Sequence, residues 1–311
     1  MLRIYCNKNR ILGGIMSKQK NMNLIAKIML FFSAIIWGSS FFILKNTLDE
    51  MPVYFILSIR FFAGAVLLFL VGCKNWKKLN KKYAWAGGIT GVFLALAYIT
   101  QTIGLQHTTP SKNAFLTAVY CVLVPFMCWG ITKKAPDKFN IISAVICFVG
   151  IGLVSLGSGD GGFNFMGDGM TLICGVFFAL QIVAIELWGK DMDVILYTAF
   201  QFFAAFLICF AGFLIFEEIP TGVSAAAIGS LAYVTVFATA AAFLLMNTGI
   251  KYASANTSAL ILSFESVFGV LFSIMFYPDE HITLRIICGF AAIFVGIIIN
   301  ETKLGFLKKA K

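Results

Sequence analysis

Residues 24–46 read LIAKIMLFFSAIIWGSSFFILKN, an apolar run whose only charges, Lys27 and Lys45, sit near its ends. A helix rising about 1.5 Å per residue covers the ~30 Å hydrocarbon core of a bilayer in about 20 residues. This run is long enough. Nine further runs of the same kind follow, at 53–73, 83–106, 111–131, 139–157, 168–188, 194–216, 224–249, 254–277 and 282–300. Short connections rich in charge, Gly or Pro separate them, among them Asp49-Glu50-Met51-Pro52, the lysine-rich 74–82, Thr109-Pro110 and Glu217 to Pro220. Ten spans is the count the pattern favours; nine is the alternative, because the sixth and seventh runs can fail individually. Each run is expected to be a helix, since a helix satisfies its own backbone hydrogen bonds where lipid cannot. A transmembrane barrel would need alternating segments of about ten residues, and these runs are continuous and longer.

Composition agrees. Of 311 residues, 60% are hydrophobic and 12% charged, against about 25% charged in a soluble domain. Mean hydropathy is +0.91. The net charge of +10 could point to nucleic acid, but the basic residues lie in short clusters between apolar runs, which marks cytoplasmic loops instead. No nucleic-acid partner is expected. Lipids are the solvent of the chain. With the N-terminus inside, 20 of the 24 basic residues fall on inside segments, while Asp49, Glu50, Asp160, Glu217, Glu218, Asp279 and Glu280 collect outside. Both termini are therefore expected in the cytoplasm of a bacterial-type plasma (inner) membrane. Residues 1–22 read as a loose cytoplasmic tail rather than a cleaved signal, because Lys18 and Lys20 break the apolar stretch. Met1, Met16 and Met22 all stand as starts, and 301–311 reads as a basic cytoplasmic tail. The eight cysteines contain no CxxC pair and lie mostly in apolar runs, so neither a disulfide framework nor a metal site is expected.

The two halves resemble each other. Gly104-Leu105-Gln106-His107-Thr108-Thr109 aligns with Gly249-Ile250-Lys251-Tyr252-Ala253-Ser254, and Gly150-Ile151-Gly152 falls on Gly296-Ile297-Ile298 after one inserted residue. Arg60-Phe61-Phe62-Ala63 lies on Gln201-Phe202-Phe203-Ala204. Five spans per half is an odd number, so the halves, 23–157 and 168–300, would be inserted upside down relative to one another. Inverted repeats are a signature of secondary transporters, with the substrate site near the midplane.

The same residues carry a family likeness. Trp37-Gly38-Ser39-Ser40-Phe41, with Arg60 in the next span, resembles the opening of EamA-type members of the drug/metabolite transporter superfamily. Tyr252 through Ala255, Ala259, Glu265 and Asp279-Glu280 to Gly289 and Gly296 resembles their closing repeat. The likeness covers roughly residues 24–300. It implies an all-α membrane protein of ten helices in two inverted five-helix repeats around a central cavity, exporting or exchanging metabolites such as amino acids. Ser266 follows Glu265 where the family often has Pro, and Lys133-Lys134 stands where an acidic residue often closes the fourth span.

Polar groups inside spans are costly and usually face a cavity or a neighbouring helix. Glu265 lies mid-span with no charge within ten residues. It reads as a site for a substrate amine or a proton, or else as a protonated carboxyl bonded to a neighbouring helix. Arg60 keeps its charge, and can meet a substrate carboxylate, pair with an acid or snorkel outward. Trp37 sits too deep for the aromatic belt and suits a cavity wall, with Ser40 beside it. Tyr98, Gln101, Tyr120, Gln181, Gln201 and Tyr233 are polar-tipped at membrane depth. Each alone suits helix packing; together they describe an aromatic, hydrogen-bonding pocket. Lys45 and Glu186, near span ends, read as snorkelling, and His107 as interfacial. The glycine-rich 157–162 lacks the lysine and strand of a phosphate loop. No individual phenylalanine stands out.

The function these residues favour is a secondary transporter, most simply an exporter, of small metabolites or amphiphilic compounds. No ATP-binding motif is present, so no cofactor is expected and energy would come from an ion or solute gradient, with Glu265 the proton-coupling candidate. Two alternatives are weaker. An intramembrane enzyme lacks its constellation, since His107 and His281 both lie at span ends and no HExxH occurs. A channel would usually show a charge ring or carbonyl filter. Substrate identity, coupling ion and oligomeric state are not legible.

Overall fold

A computed structural model describes residues 2–155, 163–276 and 283–303. The glycine-rich 157–162, the acidic pair Asp279-Glu280 with His281, and the tail beyond 303 lie outside these residues. Among the described residues all regular structure is helical. The helices are α1 (Leu2–Thr47), α2 (Val53–Val71), α3 (Lys81–Gln106), α4 (Pro110–Thr117), α5 (Tyr120–Thr132), α6 (Lys138–Ser155), α7 (Met170–Ala184), α8 (Val194–Phe216), α9 (Ala225–Tyr233), α10 (Ala242–Tyr252), α11 (Ala255–Leu262), α12 (Phe264–Phe276) and α13 (Leu284–Thr302). Helical backbone continues back to Leu2, through the tail expected to be loose; the part apolar enough to cross a membrane begins at Asn21.

Several rods are continuous in space although their hydrogen bonding changes register. Wide π-type turns, Phe165–Gly169 and Ile185–Gly189, flank α7, and another, Val234–Ala241, joins α9 to α10. Eight stretches are long and apolar enough to span: Asn21–Thr47, Val53–Val71, Lys81–Gln106, Pro110–Thr132, Phe165–Gly189, Val194–Phe216, Ala225–Tyr252 and Ala255–Phe276. Two shorter apolar stretches, Lys138–Gly150 and Ile287–Gly296, lie within α6 and α13. The chain is a multi-pass membrane protein.

Local chemistry sets the helix starts. Thr109, Ser224 and Ser254 turn their hydroxyls onto the backbone N–H groups of Lys112, Ala227 and Thr257, satisfying donors that the first turn of a helix leaves open. Two rods break in mid-membrane. Between α4 and α5 the bonding tightens to three-residue spacing, Val119 N–H to Leu116 O and Cys121 N–H to Ala118 O. Between α11 and α12 it does so at Ser266 N–H to Ser263 O. The second break needs no proline: the Ser263 and Ser266 hydroxyls bond back to Leu260 O and Ser263 O, and such side-chain bonds bend helices.

Without a hydrophobic drive between helices in lipid, close approach through small residues does the packing. α1 packs on α10 and α12, and α7 on α3 and α5. At the first crossing a Cβ on Gly38 would stand 2.4 Å from Phe268 Cβ; at the second, one on Gly175 would stand 2.3 Å from Val119 Cγ1. Only glycine fits either place. α2 and α3 pack on α8, while α6 and α13 pair with each other and turn Val145, Phe148, Phe294 and Val295 outward.

Candidate functional site

The two mid-membrane breaks place Tyr120 and Glu265 at the first turns of α5 and α12, and both side chains enter one cavity at the centre of the bundle. Trp37 and Ser40 come from α1, Arg60 from α2, Tyr98 and Gln101 from α3, and Gln181 from α7. Eight of the side chains singled out in the sequence therefore meet in one place. About 30 Å³ of the cavity is open to the centres of water molecules.

Arg60 is buried to 1% exposure. Its Nε donates to Thr239 Oγ1 at 3.0 Å, and its guanidinium carbon lies 4.8 Å from the centroid of the Tyr98 ring. Thr239 in turn donates to Val234 O at 2.8 Å across the wide turn, so that irregular turn is what aims the threonine at Arg60. Among the described residues no carboxylate lies within 4.0 Å of the guanidinium. Snorkelling and an internal ion pair, two of the three readings of Arg60, are thus not what the structure adopts. An unneutralised buried cation costs several kcal/mol, which a transient anionic partner would offset.

Glu265 is 4% exposed, and its Oε1 has no hydrogen-bond partner. Tyr120 is its polar neighbour, yet the Tyr120 hydroxyl also lacks a hydrogen bond of acceptable geometry. The two side chains are adjacent rather than hydrogen-bonded. Gln181 donates to Gln201 Oε1 at a long 3.5 Å, leaving Gln181 Oε1 unmatched. Unsatisfied buried polar atoms are rare in folded proteins; here three oxygens of that kind belong to residues lining one small chamber. Trp37 donates from Nε1 to Ala238 O at 2.8 Å and packs edge-on against Phe243, making it a wall. Ser40 bonds back to Trp37 O, and Gln101 reaches Thr117 Oγ1 at 3.2 Å.

Tyr233 does not join the cavity. Its hydroxyl bonds Ser39 Oγ at 2.7 Å, and its ring lies against Phe237; the rotation of α9 turns it to the α1 contact, where it packs helices. Lys45 reaches the span end with its Nζ, which donates to the carbonyls of Leu105, Gln106 and Thr108 and caps the C-terminal end of α3. Glu186 binds Lys190 at 2.9 Å and accepts Ala255 N–H at 2.9 Å. The phenylalanines are not all anonymous, since Phe41 and Phe178 line the cavity with Leu44, Leu105, Met246 and Leu262. No sequence signal separates those apolar walls from lipid-facing neighbours. Among the described residues no cluster of three or more His, Cys, Asp or Glu could hold a metal.

A multi-helix membrane bundle with polar side chains set into a largely apolar central cavity fits a membrane transporter, and comparison with known proteins shows that class. The EamA-like transporter family matches twice, over residues 24–156 and 165–302, so the chain belongs to that family. An "Uncharacterized transporter" of Archaeoglobus fulgidus is 31% identical over 277 residues, covering 89% of this chain and 86% of that one. The "Uncharacterized transporter YetK" of Bacillus subtilis is 28% identical over 302 residues, covering 92% and 90%. A solved crystal structure superposes with TM-score 0.68 at 15% identity, covering 90% of this chain and 96% of that one; at that identity the likeness concerns the fold alone.

Proposed function

We propose that this protein is a secondary transporter that exports small metabolites carrying both a cationic and an anionic group, such as amino acids, by alternating access across a bacterial-type inner membrane. One observation carries the reading. Among the described residues, a guanidinium with no carboxylate within 4.0 Å and a carboxyl oxygen without a hydrogen bond line the same cavity. Arg60 can hold a substrate carboxylate bidentately, while Glu265, Gln181 and Tyr120 offer oxygens to an ammonium group. The aromatic walls suit an amphiphilic side chain.

The architecture proposed with it is ten spans in two inverted five-helix repeats, both termini cytoplasmic, the fifth and tenth spans being α6 and α13. Supporting this, the register that places Gly104 on Gly249 also places Tyr120 on Glu265 and Ala118 on Ser263, so the two breaks coincide. The packing of α1 on α10 and α12 is matched by that of α7 on α3 and α5. Rocking one half against the other would open the chamber to each side in turn. Proton coupling at Glu265 is the second reading, favoured by the unbonded Oε1.

Counterflow of labelled amino acids in proteoliposomes tests the proposal. Uptake that depends on a solute gradient, and is lost in Glu265→Gln protein that still inserts, is the expected result. No counterflow for any zwitterionic solute, or unchanged counterflow in that variant, would sink it. A pH-sensitive dye in the lumen separates the readings: acidification or alkalinisation linked to uptake favours coupling.

A further inference from the structure

Outside the chamber lies a buried ion pair. Lys112 Nζ stands 2.6 Å from Asp168 Oδ2, with the aspartate fully buried and the lysine side chain 10% exposed. Asp168 also accepts from Thr108 Oγ1 at 3.2 Å and from Asn164 N–H at 2.8 Å. This cluster ties the end of α3 and the start of α4 to the turn that begins α7, on the face of the bundle that also carries the α1–α2 connection.

From the pair a polar seam descends between α3, α4 and α7 to the chamber. Asn113 donates to Thr171 Oγ1 at 2.8 Å and to Gln101 O at 3.2 Å. Gln101 donates to Thr117 Oγ1, and the Thr117 hydroxyl lies 3.5 Å from Cys174 Sγ. Tyr120 and Glu265 come next. Asn113 and Thr117 follow each other on one face of α4, and Thr171 and Cys174 on one face of α7. Asn113 Oδ1, fully buried in this seam, has no partner.

The other half of the molecule shows that packing alone does not require such a seam. The register that places Gly104 on Gly249 puts Met246 where Gln101 stands and Leu262 where Thr117 stands. Matching Gly38 with Gly175 puts Ala34 at Thr171 and Phe31 at Asp168. That counterpart seam is mostly apolar, with Ser258 at the place of Asn113 as its buried polar residue. Polar groups kept dry are costly, and the cost falls when another state lets water reach them. A buried ion pair behaves likewise, since both ions regain hydration when it breaks.

We infer that the α3/α4/α7 seam is the water-filled half of the translocation path in the open state, and that Lys112–Asp168 is the latch that keeps it shut. The inference rests on the transport reading. It assigns α4 the moving part, swinging on the break at Ala118, and gives the two ends of the path different closures: an ionic latch at one, an apolar plug of Met246 and Leu262 at the other.

Cys174 reports the seam directly, being fully buried within it. Cys73 is exposed at the opposite face of the bundle and serves as the sidedness and folding control. The full-length protein, in intact cells and in inverted vesicles, is treated with a membrane-impermeant thiosulfonate, and each cysteine peptide is followed by mass spectrometry. In Lys112→Met/Asp168→Asn, which leaves no unpaired buried charge, Cys174 should label about tenfold faster than in the parent, and only from the side opposite Cys73. Lys112→Met alone, which leaves Asp168 its Thr108 and Asn164 bonds, should move the rate the same way. Equal Cys174 rates in parent and variants, or acceleration only from the Cys73 side, would overturn the latch. Labelling requires no solute, so this failure is distinct from an absence of counterflow, which would remove the transport reading on which the path depends.

Discussion

Arg60 is held by a hydroxyl on one side and an aromatic face on the other, and neither neutralises it. The planar fork matters as much as the charge. Arg60→Lys keeps the cation but loses the bidentate geometry, so counterflow of carboxylate-bearing solutes should fall by about tenfold or more, the scale of one lost charge-assisted bond of ~1.5–3 kcal/mol. Solutes without a carboxylate should be affected far less, and that contrast between solutes is the measurement. Thr239→Val removes the acceptor that aims Arg60 and its own bond to Val234 O. A weaker apparent solute affinity with similar maximal rate is expected, since the guanidinium remains present but less well positioned. Arg60 and Glu265 were legible in the sequence because a charge inside a lipid-length apolar run is conspicuous. Lys112 and Asp168 were not, because each sits at a span end and only folding brings them together. Tyr233 misled for a related reason: a polar-tipped aromatic at the right depth can face a cavity or a neighbouring helix, and helix rotation decides which.

At the scale of elements, the corners between helices are held by carboxylates acting on backbone donors. Glu217 accepts Tyr54 N–H at 2.9 Å and Phe55 N–H at 2.8 Å, satisfying the open first turn of α2. Glu50 accepts the backbone N–H of Ser224 at 2.6 Å and its hydroxyl at 2.8 Å, joining the α1–α2 corner to the start of α9. These bonds hold the Glu50 carboxyl below its ordinary range, the backbone N–H contributing most. A depressed value means the clasp is fully present at neutral pH and is lost as pH falls through the folded-state value. Glu50→Gln should therefore lower the thermal midpoint at pH 7, with the difference from the parent shrinking in acid; a pH-independent difference would argue against the clasp. Crossings are a second element-scale test. A Cβ at Gly38 would meet Phe268 Cβ and the Gly269 backbone, so Gly38→Val should cost about 1–3 kcal/mol and reduce the yield of folded protein in detergent. Ser39→Ala, one residue along, loses the Tyr233 bond and the hydroxyl's bond to Ile36 O but meets no clash, and should be milder.

At the scale of the whole molecule, the structure holds a central cavity walled by both halves. Trp37, Arg60, Tyr98, Gln101 and Tyr120 come from the stretch matched by the first family domain, and Gln181, Met246, Leu262 and Glu265 from the second. Neither half encloses the site alone. Topology mapping with reporters fused after residues 22 and 303 should place both on the same side of the membrane; opposite sides would exclude the inverted arrangement. With about 30 Å³ open to the centres of water molecules, the cavity would have to widen to take an amino acid, which agrees with the proposed latch on one seam and plug on the other.

Hydrophobic runs, charge placement and the weak likeness between halves were enough, from sequence alone, to establish a helical membrane protein and to single out most of the chamber's polar side chains. Lipid is an unforgiving solvent: it demands long apolar helices and makes each interior charge stand out. Tertiary structure alone decided which apolar side chains face the chamber, where the mid-membrane breaks fall, and that Lys112 meets Asp168. Leu262 and Met246 are as apolar as any residue facing lipid, so no local pattern separates them. Their roles depend on how each helix is turned and how closely glycine lets its neighbour approach, and those are properties of helix pairs rather than of one stretch of chain.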